Sequence, residues 1–210
     1  MYVRYDPIAL AHARALPTCS PEGETAYLDA DIKDTGEILA GAVQVLNLSQ
    51  PVGVMVAVLH MLRDSEDPHG VVDRLMAAVP AGSLLVISHL ASDIQPEAMA
   101  ETGRRLNQAM AQQFTMRSRG QVTAFFDGMT LLDPGVVLTH QWRPDSDAEA
   151  ATRGVLWAGA ARKDRAIPRT DPRPRRRHGL SAGFRRYDAV GFLANRCSLA
   201  DGSAMTGWTW

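Results

Sequence analysis

The chain has 210 residues, of which 46% are hydrophobic, and its formal net charge is −1 at pH 7. This length allows one sizeable α/β domain with a tail and is short for two full domains. The two cysteines, Cys19 and Cys197, exclude a disulfide framework and lack metal-ligand spacing, which indicates a reduced cytoplasmic setting. The longest apolar run, Val52 to Leu62, is about half the ~20 residues that a membrane helix needs, so we expect a soluble protein.

Predicted strands and helices alternate along the chain. In order, the sequence predicts a strand at 2–5, a helix at 7–16, a short strand at 25–28, a helix at 36–46, a strand at 52–62, a helix at 69–79, a strand at 84–90, a helix at 95–114, a capped short helix ending at 128, and strands at 129–142 and 153–163. This alternation predicts an α/β fold, with a mostly parallel sheet and helices on both of its faces. The last two strands, joined by a polar loop, predict an antiparallel hairpin at the C-terminal edge.

The C-terminal part of the chain differs in composition from the rest. Between Arg162 and Arg186 there are ten Lys or Arg and two Asp, which leaves about −9 on the remainder of the chain. We therefore expect an α/β domain over 1–163 and a basic, mainly disordered tail over 164–210. The run "PRPRRRHG" can bind phosphate non-specifically. Neither aromatic interleaving nor a helix-turn-helix or zinc spacing indicates specific nucleic-acid recognition.

Six stretches together carry a resemblance to a known family: "YDPIALAHARAL", "ETAYLDADIKDTGEIL", "PVGVMVAVLHML", "GSLLVISHL", "FFDGMTLLDPGVV" and "QWRPD". Their order and spacing resemble the actinobacterial S-adenosylmethionine (SAM)-dependent methyltransferase-like family of Rossmann-type fold. The resemblance covers roughly residues 2–162. It implies a seven-stranded sheet with the last strand antiparallel, and a SAM site across the carboxyl ends of the first four strands.

The resemblance also implies a segment before "YDPIALAHARAL" that this sequence does not contain. The family carries there its first strand and a glycine loop of the D-I-G-T-G type, which wraps the methionine part of SAM. We therefore expect a sheet that is incomplete at the N-terminus. The absent strand would lie centrally, and its loss would leave neighbouring strands unpaired. Either those strands close up into direct pairing, or another chain fills the gap through oligomerisation at the exposed strands, or the fold is marginal. In addition, the family's ribose-binding acid aligns with Arg4, and a cation cannot accept hydrogen bonds from ribose hydroxyls.

The resemblance names a set of candidate cofactor-binding residues, which are Asp6, Asp29, Asp31, Ile32, His60 and Met61. In this set a carboxylate past the third family strand accepts from the adenine amino group, and the Ile32 backbone N–H donates to the ring. His60 is also the candidate catalytic residue, because some methyl acceptors need a base. His89, at the end of the next strand, is a weaker candidate. Each has an ordinary structural alternative: Asp6 caps a helix, acids at strand ends cap loops, and His60 packs in the core.

Three functional hypotheses follow. The first is a SAM-dependent methyltransferase with an unknown acceptor, in which SAM is the small-molecule cofactor and no metal takes part. The second is a non-catalytic, truncated relative that keeps the scaffold and has lost SAM binding. The third is weak binding of nucleic acid or of an acidic partner through the Arg-rich tail.

Overall fold

The structure is a computed structural model that describes residues 1–4, 26–109, 113–151, 154–164 and 189–193. Its strands are β1 (Tyr2–Arg4), β2 (Tyr27–Leu28), β3 (Gly53–Val56), β4 (Leu84–Leu90), β5 (Thr130–Leu131), β6 (Val137–Leu138), β7 (Leu156–Arg162) and β8 (Ala189–Leu193). Its helices are α1 (Thr35–Val45), α2 (Pro68–Ala77), α3 (Pro96–Ala109), α4 (Arg119–Thr123) and α5 (Asp147–Ala150). Among these residues, no helix has the length and apolar character needed to cross a membrane. The predicted helix at 7–16 lies outside the described residues.

The strands form a single sheet in the order β2-β1-β8-β3-β4-β7-β5, and β6 also pairs with β7. Strands β1 and β2 are parallel, as are β3 and β4, whereas β8 is antiparallel to both of its neighbours and β7 is antiparallel to β4. Six strands, β1 to β6, therefore run in one direction, and β7 and β8 run in the other. This arrangement confirms the predicted α/β class with its mostly parallel sheet and its antiparallel closing strands.

Strands β3 and β4 form the centre of the core. Their inward side chains are fully buried between the helices, together with apolar residues of α1 and α2; the set includes Val54, Val56, Leu85, Ile87, Ile38, Ala42, Val71 and Leu75. Each such side chain stabilises the fold by about 1.5–3 kcal/mol relative to exposure. The loops that follow β3 and β4 thus start from the centre of the core.

Two predicted strands are shorter in the structure than the sequence indicated. The strand predicted at 52–62 ends at Val56, and the apolar residues after it form a 3-10 turn at Leu59–Met61. The strand predicted at 129–142 is divided into β5 and β6. Pro134 interrupts it because proline has no backbone N–H, and Gly135 turns the chain with a φ of +83°.

Strand β8 lies between β1 and β3, where the resemblance placed the absent first strand. Val190 is paired with Val3 on one side and with Val56 on the other. The expectation that β1 and β3 would have unpaired edges there is wrong, because β8 supplies their backbone partners. Five residues of the predicted disordered tail therefore form a strand, and 165–188 and 194–210 lie outside the described residues. Strand β8 runs antiparallel, whereas the family's first strand is parallel to its neighbours.

The insertion of β8 predicts a difference between two C-terminal deletions. A chain ending at Leu193 keeps β8, whereas a chain ending at Asp188 leaves β1 and β3 without their common neighbour. Because each ladder hydrogen bond contributes about 0.5–1.5 kcal/mol, we expect the shorter chain to be less stable by at least about 2 kcal/mol. Urea unfolding followed by circular dichroism measures the difference. Equal stability of the two chains would contradict the placement of β8.

Candidate functional site

The loops that follow β1, β2, β3 and β4 begin at the same edge of the sheet, because these four strands run in one direction. In open α/β sheets, ligands bind outside the carboxyl ends of the strands. The described parts of this edge are residues 29–34, 57–67 and 91–95. Asp6, which follows β1, lies outside the described residues. The edge therefore holds all the other cofactor-binding residues that the sequence predicted.

The loop after β2 is a tight turn built around Asp31. The Asp31 carboxylate accepts from the backbone N–H of Lys33 at 3.0 Å, and the Lys33 ammonium lies 3.5 Å from its other oxygen. Lys33 also donates to the carboxylate of Glu66, in the loop after β3, at 3.3 Å. Ile32 is fully buried beneath the turn, while Asp29 is exposed. Lys33 thus joins the loop that holds the predicted adenine-binding residues to the loop that holds His60.

The loop after β3 is held from below by the guanidinium group of Arg117, which is 3% exposed. Arg117 donates to the carbonyl oxygens of Leu59 and Leu62, each at 3.0 Å, and to Asp64 at 2.6 Å. Its guanidinium carbon also lies 5.5 Å from the centre of the Phe125 ring. The Leu59 carbonyl also accepts from the Leu62 N–H within the 3-10 turn, so Arg117 adds a second donor there and supplies a donor to the Leu62 carbonyl at the end of the turn. Through these bonds Arg117 fixes the course of the loop.

His89 is fully buried and accepts a hydrogen bond from Arg117 through Nε2 at 2.8 Å. Because arginine has no acceptor, the ring proton must be on Nδ1, which donates to the carbonyl oxygen of Leu90 at 2.9 Å. Burial, with the Arg117 charge as a further cause, lowers the pKa of His89 to about 3, although the bond to Leu90 opposes the shift. His89 is a neutral structural group with both nitrogens engaged, and its ring is not available to take a proton from a substrate.

His60 lies in the 3-10 turn after β3, beside His89 and Phe114. Its ring stacks on that of Phe114 with centroids 5.6 Å apart and meets the His89 ring edge-on at 5.9 Å. Its Nδ1 is buried and has no hydrogen-bond partner within the part of the chain that the structure describes. Burial and the nearby Arg117 charge lower the pKa of His60 to about 4. His60 is therefore neutral at pH 7 and has an unsatisfied polar atom, unlike His89.

The structure brings Asp31 and His60 into two joined loops, and it packs Met61 of the same turn against the hydrophobic core. Within the described residues, no group of three His, Cys, Asp or Glu side chains is placed to hold a metal ion. Sequence reasoning missed Arg117. The only local signal is the capping box that follows it, in which Ser118 and Gln121 exchange bonds at the start of α4. That motif marks a helix start and says nothing of a buried cation.

The sheet order, the closing antiparallel strands and the loop edge define the class: an α/β protein with the architecture of SAM-dependent methyltransferases. A SAM-dependent methyltransferase from Methanosarcina mazei shares this fold, with a TM-score of 0.50 at 6% identity over 78% of this chain and 81% of that chain. The family model described as S-adenosyl methyltransferase matches residues 1–164. This chain belongs to that family.

Two solved structures from actinobacteria are more similar. A DUF574 family protein from Streptomyces avermitilis has 32% sequence identity and a TM-score of 0.72, over 77% of this chain and 63% of that chain. A candidate methyltransferase from Thermobifida fusca has 29% identity and a TM-score of 0.68, over 77% of this chain and 62% of that chain. The chain thus spans less than two thirds of the length of either protein. No curated protein matches.

The role of Arg117 predicts unequal effects of removing either end of its ion pair. Arg117→Ala removes the donors to the Leu62 carbonyl and to His89 Nε2, so we expect a loss of about 3 kcal/mol or more in the free energy of unfolding. Asp64→Asn removes a carboxylate whose side chain is 74% exposed, and we expect a loss of at most about 1 kcal/mol. Urea denaturation of both variants measures the difference. Similar losses would contradict the assignment of the anchoring role to the carbonyl contacts.

The lowered pKa values of His89 and His60 predict acid sensitivity. The folded state keeps these rings neutral, whereas the unfolded state binds protons below the ordinary pKa of 6.5. Stability is therefore complete above pH 6.5 and is lost as the pH falls towards 3. Each histidine accounts for about 2 kcal/mol between pH 7 and pH 5.

The variant His89→Gln separates this effect from general acid unfolding, because a glutamine oxygen can accept from Arg117 but does not titrate. We expect the pH slope of the free energy of unfolding to fall by about 1.4 kcal/mol per pH unit between pH 6 and 4. Urea titrations at several pH values give the slope. An unchanged slope would show that His89 does not titrate differently in the folded and unfolded states.

Proposed function

We propose that this chain binds SAM across the loops after β1 to β4 and transfers its methyl group to an acceptor. The observation that carries the proposal is the joining of the loops after β2 and β3 through Lys33, which bridges Asp31 and Glu66. This joining places the predicted adenine-binding turn and the His60 turn along one sheet edge. The family to which the chain belongs supports SAM as the cofactor.

The turn after β2 fits the nucleoside end of SAM. The Asp31 carboxylate, which the Lys33 backbone N–H holds in place, is the kind of acceptor that an adenine amino group needs. Burial of the Ile32 side chain fixes the backbone whose N–H would meet the adenine ring. The exposed carboxylate of Asp29 is an acceptor for hydroxyl groups beside this turn. Asp6, the predicted cofactor-binding acid after β1, lies outside the described residues, and Met61 supports the His60 turn from the core.

When bound, SAM supplies a methyl carbon on a sulfonium, which an oxygen or nitrogen nucleophile displaces from the thioether. Such a displacement depends mainly on alignment of the two reactants. A histidine with a pKa of about 4 is a weak general base at pH 7, because general bases work best with a pKa near the operating pH. We therefore assign His60 a positioning role towards the acceptor, through the ring that it stacks on Phe114, and not the removal of a proton.

A second candidate function is a non-catalytic scaffold, and the direction of β8 favours it. A parallel strand in that position would end at the edge where the loops after β1 and β3 begin. Strand β8 begins there, at Ala189 opposite Arg4, so no loop follows it at this edge. The third hypothesis, binding through the Arg-rich run, concerns residues outside the described part of the chain and stays a prediction.

Calorimetric titration with SAM tests the proposal. We expect the wild-type chain to bind SAM with a Kd below about 100 µM, and Asp31→Asn to bind about tenfold more weakly because it loses a charge and an acceptor oxygen. The asparagine oxygen can still accept from the Lys33 N–H, so we expect this variant to remain folded and to lose at most about 1 kcal/mol of stability from the weakened ion pair with Lys33. Asp127→Asn, at an exposed position away from this edge, is the matched control. No binding by the wild-type chain at millimolar SAM would favour the scaffold instead.

A further inference from the structure

A groove of about 550 Å³ lies between helix α3 and the extended residues 113–116. This volume is in the range of small-molecule sites. The groove reaches the end of β4 at Ser92, and Phe114, which stacks on His60, belongs to its lining. The lining residues that matter for its chemistry are Ser92, Met99, Gly103, Gln113, Phe114 and Met116.

The wall that separates the groove from His60 is fixed in place. Asn107 of α3 accepts from the backbone N–H of Phe114 at 2.6 Å and donates to its carbonyl oxygen at 3.1 Å. The next residue, Thr115, donates through its backbone N–H to the carbonyl oxygen of His60 at 2.7 Å. The Phe114 ring thus lines the groove and stacks on His60 at the same time. A ligand that contacts Phe114 in the groove would thus be separated from His60 by this ring.

The lining is apolar and polarisable, and its charge is compensated. Met99, Met116 and Phe114 supply thioethers and an aromatic ring, groups that contact aromatic ligands favourably. Arg104 belongs to the lining, but its guanidinium group is paired with Glu101 of the same helix. The glutamine amides at the rim, such as Gln113, offer neutral hydrogen bonds. This donor set suits an uncharged aromatic molecule better than a phosphate or another strong anion.

Gly103 is a glycine in a helix interior that lines the groove. Glycine in a helix interior is less favourable than alanine by about 1 kcal/mol, and Gly103 lies in the middle of α3. A Cβ atom at this position would stand 3.5 Å from Cε and 3.7 Å from Sδ of Met116, across the groove. A Cβ atom alone would therefore make ordinary contact with Met116, whereas a longer side chain would displace Met116 or project into the groove.

We propose that this groove binds a small, uncharged, planar aromatic molecule that carries a hydroxyl group. The binding of this molecule in the groove does not depend on the proposed function. Its role as methyl acceptor does. In that role its oxygen forms a bond to the methyl carbon, the carbon–sulfur bond breaks with its electron pair going to sulfur, and the hydroxyl proton passes to water.

The test uses 2-naphthol as the probe, titrated into the full chain and followed by its own fluorescence. We expect saturable binding by the wild-type chain and at least tenfold weaker binding by Gly103→Leu. Gly36→Leu is the matched control, because a Cβ atom at this α1 position meets nothing within 4 Å, and its affinity for 2-naphthol should equal that of the wild type. Thermal melts verify folding, since replacing a helical glycine should not lower the stability of either variant.

The anionic analogue 2-naphthalenesulfonate tests the charge preference, and we expect it to bind at least tenfold more weakly than 2-naphthol. Equal binding of the two probes, no binding of 2-naphthol, or equal weakening by Gly103→Leu and Gly36→Leu would each overturn the inference. SAM titration of the same samples separates this inference from the proposed function. Binding of 2-naphthol without SAM leaves the groove as a ligand site and overturns methyl transfer, whereas binding of SAM without 2-naphthol overturns the groove alone.

Discussion

The guanidinium group of Arg117 lies beneath the carboxyl edge of the sheet and contacts residues that are more than fifty positions away in the chain. It donates hydrogen bonds to the carbonyls of Leu59 and Leu62. These bonds offset part of the free energy that it costs to remove a cation from water. Only the bond to Asp64 reaches solvent. Because a buried cation without these partners would cost several kcal/mol, the turn after β3 and the segment before α4 must fold together.

The same cation determines how the two neighbouring histidines differ. It occupies the Nε2 lone pair of His89 and so fixes the tautomer of that ring, and its charge helps to keep both rings neutral. His60 is left with an unsatisfied Nδ1 and a ring stacked on Phe114. A neutral, rigidly held histidine is suited to positioning a nucleophile rather than to removing its proton. Methyl transfer from a sulfonium, which depends mainly on alignment, is compatible with such a site.

The position between β1 and β3 shows how the sheet can be completed in either strand direction. Backbone groups of β1 and β3 need a neighbour, and an extended segment supplies hydrogen bonds whether it runs parallel or antiparallel. Strand direction matters for function, because only a strand that ends at the site edge delivers a loop there. Strand β8 completes the ladder and begins at that edge. The stability of this sheet and its ability to enclose the methionine end of SAM are therefore separate questions.

The sequence by itself determined the α/β class, the continuous apolar strand β4 over its whole length, the helix after Asp34 and the capped start of α4. These features depend on local periodicity, turn residues and caps, which act over a few positions. Only the tertiary structure decided that Val56 ends β3, that Arg117 is buried against His89, that a segment with few apolar residues around it supplies β8, and that Gly103 faces a groove. These outcomes depend on contacts between residues distant in the chain, and no local pattern encodes which distant partner a backbone edge, a cation or a helix face will meet.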